Sequence, residues 1–83
     1  MEPVIEFIDT AFNHKVPEAD IRWAFETFVF EERIAETKDK YVIVGFDRTG
    51  NPLEVMFNQV DEDTIEVFHA MKCRAQWKKK AGI

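Results

Sequence analysis

The sequence predicts an α+β domain of order α-α-β-β-β-α, in which two N-terminal helices pack on a three-stranded antiparallel β-meander and a short C-terminal helix closes the chain. Three observations predict it. Apolar residues recur at helical spacing through the first 28 positions. Two segments rich in β-branched and aromatic residues flank an Asp-x-x-Gly turn, and a third alternating segment follows an acidic turn.

Pro3 suits the first turn of a helix, where its missing N–H costs nothing. Ile5, Ile8, Ala11 and Phe12 then recur at helical spacing, and Asn13-His14-Lys15 interrupts them. A second helix starts at Pro17, with Glu18 and Asp20 in the first turn where acids complement the helix dipole. Ile21, Ala24, Phe25 and Phe28 give its i, i+3, i+4, i+7 stripe. Trp23 and Val29 lie off the stripe and either widen the buried face or mark a contact surface. Glu31 to Lys40 reads as a polar connection. Tyr41 to Phe46 is a strand by composition, and Asp47-Arg48-Thr49-Gly50 carries the end residues of a type I turn. Leu53, Val55 and Phe57 alternate with Glu54, Met56 and Asn58. Asp61-Glu62-Asp63 is a second turn, after which Ile65, Val67 and His69 alternate with Glu66, Phe68 and Ala70. The strands are expected over residues 41–46, 53–59 and 64–70. Met71 to Lys80 reads as the last helix. The sequence leaves open whether it packs on the sheet or stands at its edge.

Eighty-three residues make one small domain, which buries only roughly 60% of its unfolded surface. Eight Phe, two Trp and one Tyr partly compensate, because each aromatic side chain buries a large area. No apolar run approaches the roughly 20 residues that span a bilayer. The first residues lack the basic flank and apolar core of a signal peptide, and a single Cys73 cannot form an internal disulfide. The expectation is a cytoplasmic protein. His14, His69 and Cys73 do not make a zinc set, and no Gly-rich phosphate loop or dinucleotide fingerprint is present, so no metal or other cofactor is expected.

Charge is strongly segregated. Residues 1–71 carry six Lys or Arg against 16 Asp or Glu, a net of −10. Residues 72–83 carry five Lys or Arg and no acid, a net of +5. Such a basic end either meets a polyanion or acidic partner or is a solvated helix end favoured by the dipole.

The candidate residues divide in the same way. His69 follows Ile65 and Val67 on one strand face, which would make it the hydrogen-bonded end of the core, yet imidazole is also the side chain suited to proton transfer near neutral pH. Arg74 either binds an anion or pairs with a local acid such as Glu54 or Glu66. Glu54 alternates away from Leu53 and Val55 and reads as a solvated sheet residue. His14 reads as a helix-end residue, and Cys73 as packing. Trp77, one turn from Cys73, reads as core, with base stacking beside the lysines as the alternative.

Three pieces of the chain together resemble small bacterial toxins of type II toxin–antitoxin pairs, akin to the BrnT-like and RelE-like families. His14-Lys15-Val16-Pro17-Glu18-Ala19-Asp20-Ile21 is similar to a "His-Gly-Val, Ser or Thr, two residues, Asp-Ile" helix start. Asp47-Arg48-Thr49-Gly50 with Leu53-Glu54-Val55 is similar to an "Asp, basic, any, Gly, then Leu-Glu-Val" hairpin. Phe68-His69-Ala70-Met71-Lys72-Cys73-Arg74 is similar to a "His-Ala-Met-Pro, any, Arg" ending. The chain differs at Lys15, Pro17 and Lys72, where the pattern has Gly, Ser or Thr, and Pro. It is also more acidic than RelE-like toxins usually are.

The resemblance implies a small α/β fold, metal-independent RNA cleavage, commonly on the ribosome, and a cognate antitoxin. It points to Asp47, Gly50, Glu54, His69, Met71 and Arg74. In that reading His69 and Arg74 are the catalytic pair, His69 as acid or base and Arg74 holding a phosphate. Lys72, Lys78, Lys79 and Lys80 attract the RNA backbone. Two rival readings are a non-catalytic interaction domain and a degenerate toxin that keeps only antitoxin binding. Exposed strand edges leave a homodimer open.

Overall fold

The computed structural model describes residues 3–83. The chain forms strand β1 (Val4–Phe7), a 3-10 turn (Asp9–Phe12), helix α1 (Glu18–Thr27), and strands β2 (Phe30–Arg33), β3 (Lys40–Phe46), β4 (Pro52–Asp61) and β5 (Thr64–Lys72). Helix α2 (Ala75–Ala81) follows. One five-stranded mixed sheet has the order β1-β5-β4-β3-β2, with β1 parallel to β5 and the other pairs antiparallel.

The expected architecture of two N-terminal helices on three strands is therefore corrected. The meander exists as β3, β4 and β5, but the sheet gains a strand on each side and loses a helix. Val4 to Phe7 pairs with Thr64 to Val67 instead of coiling. Ile5 and Phe7 pack against the core while Val4 and Glu6 are exposed, a period of two within the stretch whose longer spacing read as helical. Ile8 N–H donates to Val67 O (3.1 Å) and Thr10 Oγ1 to Phe68 O (2.8 Å), extending the attachment to β5. Ala11 is fully buried in the 3-10 turn. On the other side, Phe30-Glu31-Glu32-Arg33 is an edge strand, not a connection. Its charges hide the strand pattern and also blunt an exposed edge.

Helix α1 keeps its expected place. Ile21 and Ala24 are fully buried, whereas Trp23, Phe28 and Val29 are exposed. Gly45 of β3 lets α1 approach, because a Cβ there would run into the backbone of Ala24. The core on this face joins Ile43, Leu53, Val55, Phe57, Ile65, Val67 and Ala70 to α1. Val42 and Val44 alternate to the opposite face, where they are fully buried and α2 packs on β3. Lys80 Nζ contacts Glu32 Oε2 at 2.9 Å and ties α2 to the edge strand.

Helix α2 is shorter than the expected Met71–Lys80 span. Strand β5 continues through Lys72, opposite Leu53, and Cys73 N–H still donates to Pro52 O at 3.0 Å. The helix closes on Gly82 (φ 79°), with Gly82 N–H on Lys79 O and Ile83 N–H on Lys78 O, the paired bonds of a Schellman cap. At the Asp47 turn, Gly50 N–H donates to Asp47 O (3.0 Å), and the Asp47 carboxylate accepts from the N–H groups of Thr49 and Asn51. Asp47 and Gly50 thus shape the hairpin. No helix is long and apolar enough to cross a membrane among the described residues.

Candidate functional site: a buried glutamate between histidine and arginine

Glu54 lies on β4 between Val44 of β3 and Met71 of β5. Strand alternation points Leu53, Val55 and Phe57 toward α1 and therefore sends Glu54 to the α2 face. There the corner between β5 and α2 covers it, and its side chain is fully buried. The expectation of a solvated residue is thus overturned. Period-two alternation gives the face of a residue but not whether a later segment covers that face.

A β-bulge brings His69 to the same place. Met56 pairs with His69 but Phe57 with Val67, so Phe68 is the extra residue. The bulge reverses the side-chain parity of β5. Ile65 and Val67 face α1, and so does Ala70, while His69 turns to the Glu54 side. The reading of His69 as the end of the Ile65–Val67 core row is corrected by that one residue.

The carboxylate is fully engaged. Its Oε2 is 2.9 Å from His69 Nε2 and 2.7 Å from Arg74 Nη2. Its Oε1 accepts the Arg74 backbone N–H at 2.9 Å and Arg74 Nε–H at 3.0 Å. Burial is the largest influence on this carboxyl and pushes its pKa up. The hydrogen bonds from His69 and then from the Arg74 side chain and backbone together outweigh it and hold the group at about 2. Glu54 is therefore ionised at neutral pH and can only accept. Neutral His69 must then carry its proton on Nε2, which leaves the Nδ1 lone pair free.

Two further groups complete the site. The exposed His14 ring lies edge-on to His69, with centroids 5.5 Å apart and an interplanar angle of 78°. The Arg74 side chain is 49% exposed, and among the described residues no hydrogen bond uses its Nη1. Lys78 N–H donates to Arg74 O at 3.1 Å, so Lys78 stands one helical turn from Arg74 on the same side of α2.

The predicted site residues separate accordingly. His69 and Arg74 converge on Glu54, with Lys78 beside them, and Lys79 is exposed. Lys80 is held by Glu32 and lies over the Trp77 ring. Lys72 pairs with Leu53 and shares the register of Ala70, so it leaves the strand on the face opposite Glu54. Cys73 is buried, and burial pushes its thiol up, with the Glu54 carboxylate adding to the shift, the opposite of an activated thiolate. Residue-by-residue reading underrated Glu54 and His14. Glu54 left a trace in the Leu-Glu-Val piece of the hairpin, and His14 one in its place before the helix start. The chain gives no significant match to family models, to curated proteins or to solved structures.

Proposed function

We propose that this chain is the toxin component of a type II toxin–antitoxin pair and acts in the cytoplasm as a metal-independent RNA endonuclease. A single observation carries the reading: His69 and Arg74 are organised by one buried carboxylate, next to a second imidazole and on the cationic side of the sheet. In this reaction the 2′-oxygen bonds to phosphorus as the bond to the 5′-oxygen breaks, leaving a 2′,3′-cyclic phosphate and a 5′-hydroxyl. His69, its tautomer set by Glu54, takes the 2′-hydroxyl proton at Nδ1. His14 gives a proton to the departing 5′-oxygen. The open edge of Arg74 offsets charge on the phosphorane, and Lys78 extends the anion path. Glu54 is a positioning residue. RNA is the substrate, on or off the ribosome, and the cognate antitoxin is the partner.

A second reading has its own support. The Arg74 backbone N–H and Nε–H both bind Glu54 Oε1, which makes the same network a clamp holding the corner between β5 and α2. A degenerate toxin, or an interaction domain, would keep that clamp without chemistry. The two readings separate by growth arrest and RNA cleavage with the full chain, its His69→Gln, His14→Gln and Arg74→Lys variants, and thermal melts of each. The catalytic reading expects each histidine variant to lose about 10²–10⁴-fold in cleavage while remaining folded, with cyclic-phosphate ends in the wild-type product. Full cleavage by folded His69→Gln protein, or no cleavage and no arrest by the wild type, removes the catalytic reading.

A further inference from the structure

Opposite the His69 site, the sheet carries a second surface of different character. Helix α1 has ten residues and so is roughly 15 Å long and about 10 Å wide. Five strands spaced about 4.8 Å apart make a sheet face roughly 20 Å across. One such helix cannot cover that face. Between the C-terminal end of α1 and the β4–β5 turn an open groove of about 440 Å³ remains. Ile43, Phe57 and Ile65 lie nearly buried on its floor, and the half-buried Ile5 and Phe25 with the exposed Phe28 give it its accessible apolar surface. Phe28 is 45% exposed, so this apolar surface reaches the molecular exterior.

The rim is anionic. Glu26, Glu31, Glu62 and Asp63 line it, and among the described residues no Lys, Arg or His does. An anionic rim repels RNA and an acidic peptide, while the apolar floor gives a purely hydrophilic cation nothing to bury. The two together select a ligand with large apolar side chains flanked by positive charge. We propose that this groove docks a cationic amphipathic segment of a partner protein, with one or two Leu, Met or Phe side chains on the floor and Lys or Arg against the rim. A second copy of this chain fits less well. Two of its five C-terminal cations are already paired, Arg74 with Glu54 and Lys80 with Glu32, and insertion of that end into a neighbour's groove is a head-to-tail contact that propagates into open assemblies. The inference is independent of RNA cleavage, since a catalytically silent chain keeps the groove.

The test uses the full chain and two synthetic peptides of identical Leu and Lys composition. One places the leucines on a single helical face, and the other scrambles them. Amide shifts mapped by NMR locate the contact, and titration gives the affinity. The amphipathic peptide is expected to shift the amides of Ile5, Ile43, Phe57 and Ile65 and to bind at least tenfold tighter than its scrambled partner. The double variant Glu31→Lys, Glu62→Lys, altered at exposed positions that leave the core intact, is expected to weaken binding at least tenfold. Phe28→Ser is expected to weaken it without changing its salt dependence. Equal binding of the two peptides, shifts spread over acidic surface away from the floor residues, or concentration-dependent self-association that shifts the same floor amides in the absence of peptide would overturn the proposal.

Discussion

Replacing Glu54 by Gln keeps the side-chain shape and removes the one buried charge that His69 and Arg74 share. A carboxyl that titrates at about 2 in the folded protein and near 4.3 in the unfolded chain contributes on the order of 3 kcal/mol at neutral pH. Total stability for a domain of this size is roughly 4–12 kcal/mol, so the loss is a large share. Gln also turns an N–H₂ donor toward a site whose other groups are donors. Arg74, half exposed, swings to water and escapes the full penalty of a stranded charge. The expected destabilisation at pH 7 is therefore about 2–3 kcal/mol, a fall in Tm of about 10–20 °C.

The pH dependence has a defined sign. The depressed folded pKa means that the unfolded chain binds the proton first as pH falls. Glu54's contribution is full above about 4.3 and is lost as pH drops through about 2. Urea unfolding of both proteins at pH 7, 4.5, 3 and 2, followed by tryptophan fluorescence, isolates this contribution as the difference between them. Other carboxylates affect both proteins alike. The gap should be widest at pH 7 and close toward pH 2. A gap under about 1 kcal/mol at pH 7, or one that persists unchanged at pH 2, refutes the account of Glu54 as an ionised, hydrogen-bonded carboxylate.

Replacing Lys78 and Lys79 together by Ala should flatten the log–log salt dependence of single-stranded RNA binding by about 1.4, two phosphate contacts' worth; an unchanged slope means that α2 does not touch the backbone. Lys80→Ala should flatten it less, because Lys80 already pairs with Glu32. Gly45→Ala drives a Cβ into the Ala24 backbone and should cost about 3 kcal/mol by chemical denaturation, the upper end for overpacking; wild-type stability would show that α1 is not seated against β3. Lys15 holds φ at 63° with an exposed side chain, so Lys15→Gly should stabilise by about 0.5–1 kcal/mol after the entropy cost of glycine. A lower Tm would contradict that.

The meander was legible because its strands alternate and its turns carry their own chemistry, as Asp47 and Gly50 demonstrate in the hairpin. Helix α1 was legible from Ile21 and Ala24 at helical spacing behind an acidic first turn. The flanking strands were not. Val4 to Phe7 is too short to show its period against the longer Ile5, Ile8, Ala11, Phe12 spacing, and its backbone partners lie some 60 residues downstream. Phe30 to Arg33 is an edge strand whose charges erase the pattern. Of the site, His69, Arg74 and Lys78 were visible as residue types suited to phosphate chemistry. Their convergence was not, because it depends on the Phe68 bulge.

By itself, the sequence determined what nearest neighbours along the chain can settle: the three meander strands, the Asp47 turn, helix α1 and the cationic end. Tertiary structure alone decided that Val4 to Phe7 extends against β5, because a strand's hydrogen bonds are made to another segment. It alone decided that Glu54 is buried and ionised, because burial of a sheet face depends on what later crosses it. It also placed His69 beside Glu54 instead of in the core, since one extra residue in a strand reverses every side chain beyond it.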